Sequence, residues 1–204
     1  MPPISPEDQP SIRPHPLAQQ LIERLHRDGR EGPILDFAAG SGRNTNALRQ
    51  AGFEVVSIPD SAAHGEVPLG ESDGPFAAAI STHGFLHGTR ASIEHRLASV
   101  ANVIPGGGLL YATFGSTNDA RFGRGTRIDE FTYAPLEGDE IGVAHAYYDR
   151  IGLECSLSKE FVIESLEERG VDEVAGSWAH RARPLSRAVH WFAALRRSTS
   201  CQNT

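Results

Sequence analysis

Residues 34–44 read ILDFAAGSGRN. Ile34 to Phe37 is a short apolar run bounded by Gly32-Pro33 before it and Gly40 after it, the pattern of a buried strand. Gly40 and Gly42 follow, and Arg43 to Ala51 has helical character, with Gly52 as its stop. Glycine is needed where the backbone turns tightly or approaches a ligand with no Cβ in the way. The helix behind such a turn offers unpaired N–H groups and the positive end of its dipole. In open α/β sheets this arrangement lies beyond the carboxyl ends of the strands, where strand order reverses. The strand, glycine turn and helix together predict an α/β fold with a nucleotide-like ligand at the turn.

The flanking sequence extends that unit. Residues 1–16 are proline-rich and polar and read as a flexible N-terminal arm. Leu17, Leu21, Ile22 and Leu25 share one helical face, and Gly29 can end that helix. Phe53 to Ile58 and Phe76 to Thr82 (FAAAIST) read as buried strands. Thr89 can cap a helix with apolar positions Ile93, Leu97, Val100, Ala101 and Ile104. Pro105-Gly106-Gly107-Gly108 then turns into the strand LLYATFGS, Leu109 to Ser116. This alternation predicts a doubly wound, mostly parallel sheet with helices on both faces. Residues 117–145 are polar and glycine-containing and break the pattern, as a functional loop does. Asp149 caps a weak helix, and Phe161 to Leu166 and Ala188 to Leu195 form a final strand pair. Their connection is too short and charged for a full crossover helix, which predicts antiparallel pairing. No repeat or second domain is visible, so residues 17–204 read as one domain.

The chemistry of the turn narrows the ligand. The spacing is not G-x-G-x-x-G, because Thr45 stands at the third glycine position, and no G-K-[ST] is present. Asp36 lies on the strand just before the turn. A carboxylate there repels a pyrophosphate and suits a ligand that carries a cationic amine. The chain of 204 residues has a net charge of −7 and no long Lys/Arg run, which disfavours a nucleic-acid partner. Two cysteines, one of them in the polar tail, make a structural disulfide unexpected. No apolar stretch approaches a membrane span and the first residues do not resemble a signal peptide, so a cytoplasmic protein is expected.

Three blocks in order carry a resemblance: DFAAGSGRN, AAAISTHGFLHG and VIPGGGLLYATFGS. They resemble motif I, the fourth strand with its following loop, and the P-G-G turn with the fifth strand of class I, Rossmann-like, S-adenosylmethionine-dependent methyltransferases. The resemblance covers roughly residues 17–195 and is nearest the small-molecule branch that includes tellurite-resistance-type enzymes. It implies S-adenosyl-L-methionine as cofactor and a small-molecule acceptor, with neither the acceptor nor the oligomeric state specified. It implies that Asp36 orients the methionine amine, that Ala38, Gly40 and Gly42 contact the methionine and ribose, and that Asn44 belongs to the same motif. Thr82 and His83 would lie near the sulfonium. His83, His145 and Tyr147 are the acceptor-side candidates for catalysis.

The sequence departs from the family in two places. The ribose-binding acid at the end of the second strand should fall at position 59, which is Pro59; Asp60 follows and is expected to act as a shifted ribose ligand. Only residues 59–75 separate the second strand from the family's fourth. At ~1.5 Å per helical residue and ~3.3 Å per strand residue, a helix and a strand hardly fit. A reduced or absent third strand is therefore expected. These departures support the alternative of a non-catalytic binding or regulatory protein on the same fold. His83 and His87 stand four apart but between glycines and without a third ligand, so no metal site is expected.

Overall fold

The computed structural model describes residues 13–59, 69, 74–137, 140–170 and 188–199. Helix α1 (Pro16–Asp28) opens the fold and packs against α2 (Arg43–Gln50), which follows strand β1 (Ile34–Phe37). Strand β2 (Val55–Ile58) precedes β3 (Ala78–Ser81), and α3 (Arg90–Asn102) leads to β4 (Leu109–Ser116). The short strands β5 (Thr126–Arg127), β6 (Thr132–Ala134) and β7 (His145–Tyr148) come next. Helix α4 (Arg150–Leu157) and the strands β8 (Phe161–Gly170) and β9 (Val189–Arg197) complete the chain.

The helix ends have identifiable causes. Pro16 occupies the first turn of α1, where its missing N–H costs nothing, and the His15 ring accepts a bond from the Leu17 N–H. Gly29 closes α1 in the left-handed conformation at φ 59°. Thr89 and Asp149 cap α3 and α4 through the N–H groups of Ser92 and Gly152. Helix α2 has only 8 residues and no side-chain cap. A helix this short is marginal alone, and buried Leu48 ties it to the sheet.

Strands β2, β1, β3 and β4 run parallel in that order. The chain steps from β1 outward to β2 and returns on the other side of β1 to form β3, so strand order reverses between β1 and β3. Strand β9 runs antiparallel along the far edge of β4, and β8 pairs antiparallel with β9. Gly115 pairs with both His190 and Tyr147, so β7 takes the edge that β3 vacates beyond Ser81. Alternation along the strands divides the core in two. Ile34, Ile80 and Tyr111 pack with Leu17, Leu21, Leu25 and Leu48 of α1 and α2. Leu35, Phe37, Leu110 and Phe114 pack with Ile93, Leu97 and Val100 of α3 and with Leu153 and Leu157 of α4. Each such fully buried aliphatic side chain contributes about 1.5–3 kcal/mol.

This is the doubly wound, mostly parallel sheet with an antiparallel C-terminal pair that the sequence predicts. Among the described residues no strand stands outside β2. Three expectations need revision. The arm does not extend to residue 16, because α1 begins at Pro16 and His15 is buried against the Phe192 ring, centroids 5.1 Å apart. Residues 117–145 are not a plain loop: β5 and β6 lie within them and pair with β7 as a small antiparallel sheet. The final strand pair is longer than expected, reaching Gly170 and Arg197. Residues 1–12 of the arm and Asp60 lie outside the described residues.

Candidate functional site

The turn after β1 combines three left-handed residues, Ala38 at φ 59°, Gly40 at 53° and Gly42 at 75°. Among the described residues nothing lies within 4 Å of where a Cβ on Gly40 or Gly42 would stand, so glycine serves the backbone conformation here. Ala38 holds the same conformation despite its methyl group, at a cost of roughly 1–2 kcal/mol. Such strain clusters at ligand sites. Asp36 is buried one turn-width earlier, its Oδ2 accepting from the Thr45 hydroxyl at 2.5 Å. Its Oδ1 is buried and has no partner among the described residues. Burial raises the Asp36 pKa, against the opposing hydrogen bonds from Thr45 and the charge of Arg43. Arg43, buried at the start of α2, is itself lowered to about 10 by desolvation.

Across the strand-order reversal, Asn44 links the two sides. Its Oδ1 accepts from the His15 N–H at 2.9 Å and its Nδ2 donates to the Thr82 hydroxyl at 3.1 Å. The Thr82 carbonyl in turn accepts from the Thr113 hydroxyl on β4. Asp36, the glycine turn, Asn44, Thr82 and His83 thus gather at the carboxyl ends of β1 and β3. The segment after β3 folds back tightly: a Cβ on Gly84 would meet Ser81 Oγ at 2.6 Å and the Phe37 ring at 2.7 Å.

A second group of side chains lies beside the first. His87 forms an antiparallel bridge with His145, the first residue of β7. Their rings meet edge to face with centroids 4.8 Å apart. Glu140 reaches both, Oε1 3.3 Å from His87 Nε2 and Oε2 3.1 Å from His145 Nε2. These contacts hold the Glu140 carboxyl well below its usual range, His145 contributing most. Arg121 stands 3.7 Å from Glu140 and is paired at 3.1 Å with buried Asp119. A cavity of ≈ 10 Å³, about one water in size, is lined here by His83, His87, Glu140, His145, Tyr147 and His190, among others. Burial pushes the Tyr147 phenol up to about 12 and keeps the His190 pKa well below its ordinary value.

The expected residues separate into these two neighbouring groups, joined by His83. Asp36, Ala38, Gly40, Gly42, Asn44 and Thr82 form the first; His145 and Tyr147 belong to the second. His83 and His87 do not share a helical face, since residues 82–86 form turns and bends. The partner of His87 is His145, 58 positions along the chain, and Glu140 joins them. His15, Glu140 and His190 escape the sequence reading. Pro16 flags position 15 as a helix cap, and His190 interrupts an apolar strand. Glu140 stands in the polar stretch EGDEIG with no distinguishing signal.

No protein-family model matches the chain, and no curated protein matches it significantly. Solved structures do. A methyltransferase of Burkholderia thailandensis, 1,6-didemethyltoxoflavin-N1-methyltransferase with 1,6-didemethyltoxoflavin and S-adenosylhomocysteine bound, is 14% identical at a TM-score of 0.58, covering 92% of this chain and 78% of its own. An S-adenosylmethionine-dependent methyltransferase of Mesorhizobium loti is 15% identical at 0.59, covering 89% and 98%. Magnesium protoporphyrin IX methyltransferase of Synechocystis, with S-adenosylhomocysteine bound, is 12% identical at 0.54, covering 89% and 82%. The fold is the Rossmann-like fold of class I methyltransferases.

Proposed function

We propose that this chain binds S-adenosylmethionine at the carboxyl ends of β1 and β3 and transfers its methyl group to a small molecule beside the adjoining histidine cluster. The observation that carries the reading is Asp36, a buried carboxylate beside a left-handed glycine turn at the strand-order reversal, with one oxygen unpartnered among the described residues. Buried polar atoms are rarely left unpaired, and an ammonium group, directly or through one water, satisfies this one. A small acceptor accords with the named substrate of the Burkholderia structure. The nearer resemblance to tellurite-resistance-type enzymes rests on the three sequence blocks alone. A cytoplasmic location accords with the absence, among described residues, of any helix long and apolar enough to cross a membrane.

When bound, the cofactor supplies an electrophilic methyl group on a sulfonium. In this reading Asp36 orients the methionine amine, the turn from Ala38 to Gly42 approaches methionine and ribose by its backbone, and Asp60 reaches the ribose. Asn44 holds Thr82, and with it His83, at the junction between cofactor and acceptor. The acceptor lone pair would receive the methyl group while the sulfur keeps the electrons of the broken bond, and any acceptor proton would pass to His83 or to water, with His145 lining the same cavity. Positioning in line supplies most of the acceleration, so a strong base is not required.

Pro59, standing where the family has its ribose acid, favours a second reading in which the fold binds a ligand without catalysis. Calorimetric titration with S-adenosylmethionine, S-adenosylhomocysteine and NAD tests the proposal. One site for the first two and none for NAD is expected. Binding of NAD alone, or of nothing, overturns it, and cofactor binding without turnover on any small nucleophile favours the second reading.

A further inference from the structure

We propose that His87, Glu140 and His145 form a binding site for a divalent transition-metal ion of the zinc class. Their ligand atoms lie within 4.8 Å of one another. Two imidazoles and one carboxylate, with a fourth position open, are the donor set of open zinc sites. The spacing also fits. With metal–ligand bonds of 2.0–2.1 Å, neighbouring donors in a tetrahedron stand about 3.3–3.4 Å apart. The two histidine–carboxylate separations, each to its own carboxylate oxygen, are 3.3 and 3.1 Å and match that spacing, while the group as a whole spans up to 4.8 Å and draws together when an ion binds.

The hydrogen bond behind His145 points the same way. Its Nδ1 lies 2.8 Å from the Val143 carbonyl, which can only accept, so Nδ1 carries the proton. In the neutral ring Nε2 is then a lone pair aimed at Glu140 Oε2, 3.1 Å away. Two acceptors at that distance repel unless a cation lies between them, and a proton on Nε2 is the competitor to a metal. A backbone carbonyl that fixes the tautomer behind a ligating histidine is the usual support of metal sites. The positive charge of Arg121, 3.7 Å from Glu140, is countered by buried Asp119. His87 and His145 are buried, whereas Glu140 is partly exposed, which leaves a path for the ion.

Metal binding stands independently of methyl transfer. Its consequence for the acceptor rests on the methyltransferase reading: the ion shares a cavity with His83 and Tyr147, where a hydroxyl or thiol could supply the fourth ligand and be held for alkylation.

The test uses the full chain, stripped with chelator and titrated with Co²⁺ and Zn²⁺ without any methyl donor. Calorimetry and the visible absorption of Co²⁺ are followed. One ion per chain with the intense visible bands of four-coordinate Co²⁺ is expected. His87→Gln, Glu140→Gln and His145→Gln should each weaken binding at least ~100-fold, since loss of a supporting residue alone costs 10–100-fold. His95→Gln, at an exposed histidine on α3, should leave it unchanged. Circular dichroism verifies the fold of each variant. No saturable binding by the parent, the weak bands of a six-coordinate ion, or parent-like binding by folded ligand variants overturns the site. A separate titration of the metal-free parent with S-adenosylmethionine distinguishes failure here from failure of the methyltransferase reading.

Discussion

Replacing Asp36 with Asn separates cofactor recognition from folding. The substitution keeps the size of the side chain and an oxygen that can accept the 2.5 Å bond from Thr45. It removes the charge that a bound ammonium would face. A hydrogen bond to a charged group is worth ~1.5–3 kcal/mol, so affinity for S-adenosylmethionine should fall about tenfold to more than a hundredfold. The apo protein should respond oppositely. Desolvation raises the Asp36 pKa in the fold above its unfolded value. Between those two values the native state holds the proton while the unfolded state releases it, so stability falls as pH rises through that window. The parent therefore carries a penalty at neutral pH that Asp36→Asn lacks. Calorimetry with both proteins, and denaturant melts from pH 4 upward, read the two effects. Equal affinity in folded parent and variant, or a variant whose relative stability declines as pH rises, would refute the reasoning.

His15 is buried, is pushed down to about 3 by desolvation, then by Arg43, and caps α1 through an unprotonated ring nitrogen. Its folded pKa lies below the unfolded one, so it supports stability above pH ~6.5 and that support is lost on acidification towards 3, by about 1.4 kcal/mol per pH unit. His15→Asn retains a capping oxygen, and its stability should depend less on pH over that window in urea melts. Gly84→Ala forces a methyl into Ser81 and Phe37; overpacking of this kind costs about 1–3 kcal/mol, which thermal denaturation should register. Trp191 donates to the Tyr148 carbonyl at 2.9 Å; Trp191→Phe removes this bond but leaves the carbonyl the Thr117 N–H at 3.0 Å, and should cost about 0.5–1.5 kcal/mol, visible in the same melts.

The strand, turn and helix from Ile34 to Gln50 were legible because an apolar run, glycine and a helical segment follow one another with no long-range contribution. The caps at Thr89 and Asp149 were legible for the same reason: a cap is set by residues three positions apart. The extension of β8 through Glu167, Glu168 and Arg169 was not, because its side chains are exposed or half-buried and give no apolar signal; its register comes from β9. Strands β5 to β7 are two to four residues long. Segments so short have no period to read, and β7 exists because Ser116 and Leu86 offer it an edge. The His87, Glu140 and His145 group is the extreme case. Its members come from two segments more than fifty residues apart, and the backbone bridge between His87 and His145 brings those segments together. Asp36 was located by its motif, yet its unpartnered oxygen and the left-handed Ala38 are properties of the folded backbone.

Diffraction from crystals grown with S-adenosylhomocysteine locates the cofactor outright. The predicted result is one molecule per chain over the Ala38–Gly42 turn, its amine within hydrogen-bonding reach of Asp36 Oδ1 or joined to it by one water, and its sulfur beside Thr82 and His83. A molecule bound at the amino ends of the strands, or a turn left empty at saturating ligand, would contradict it.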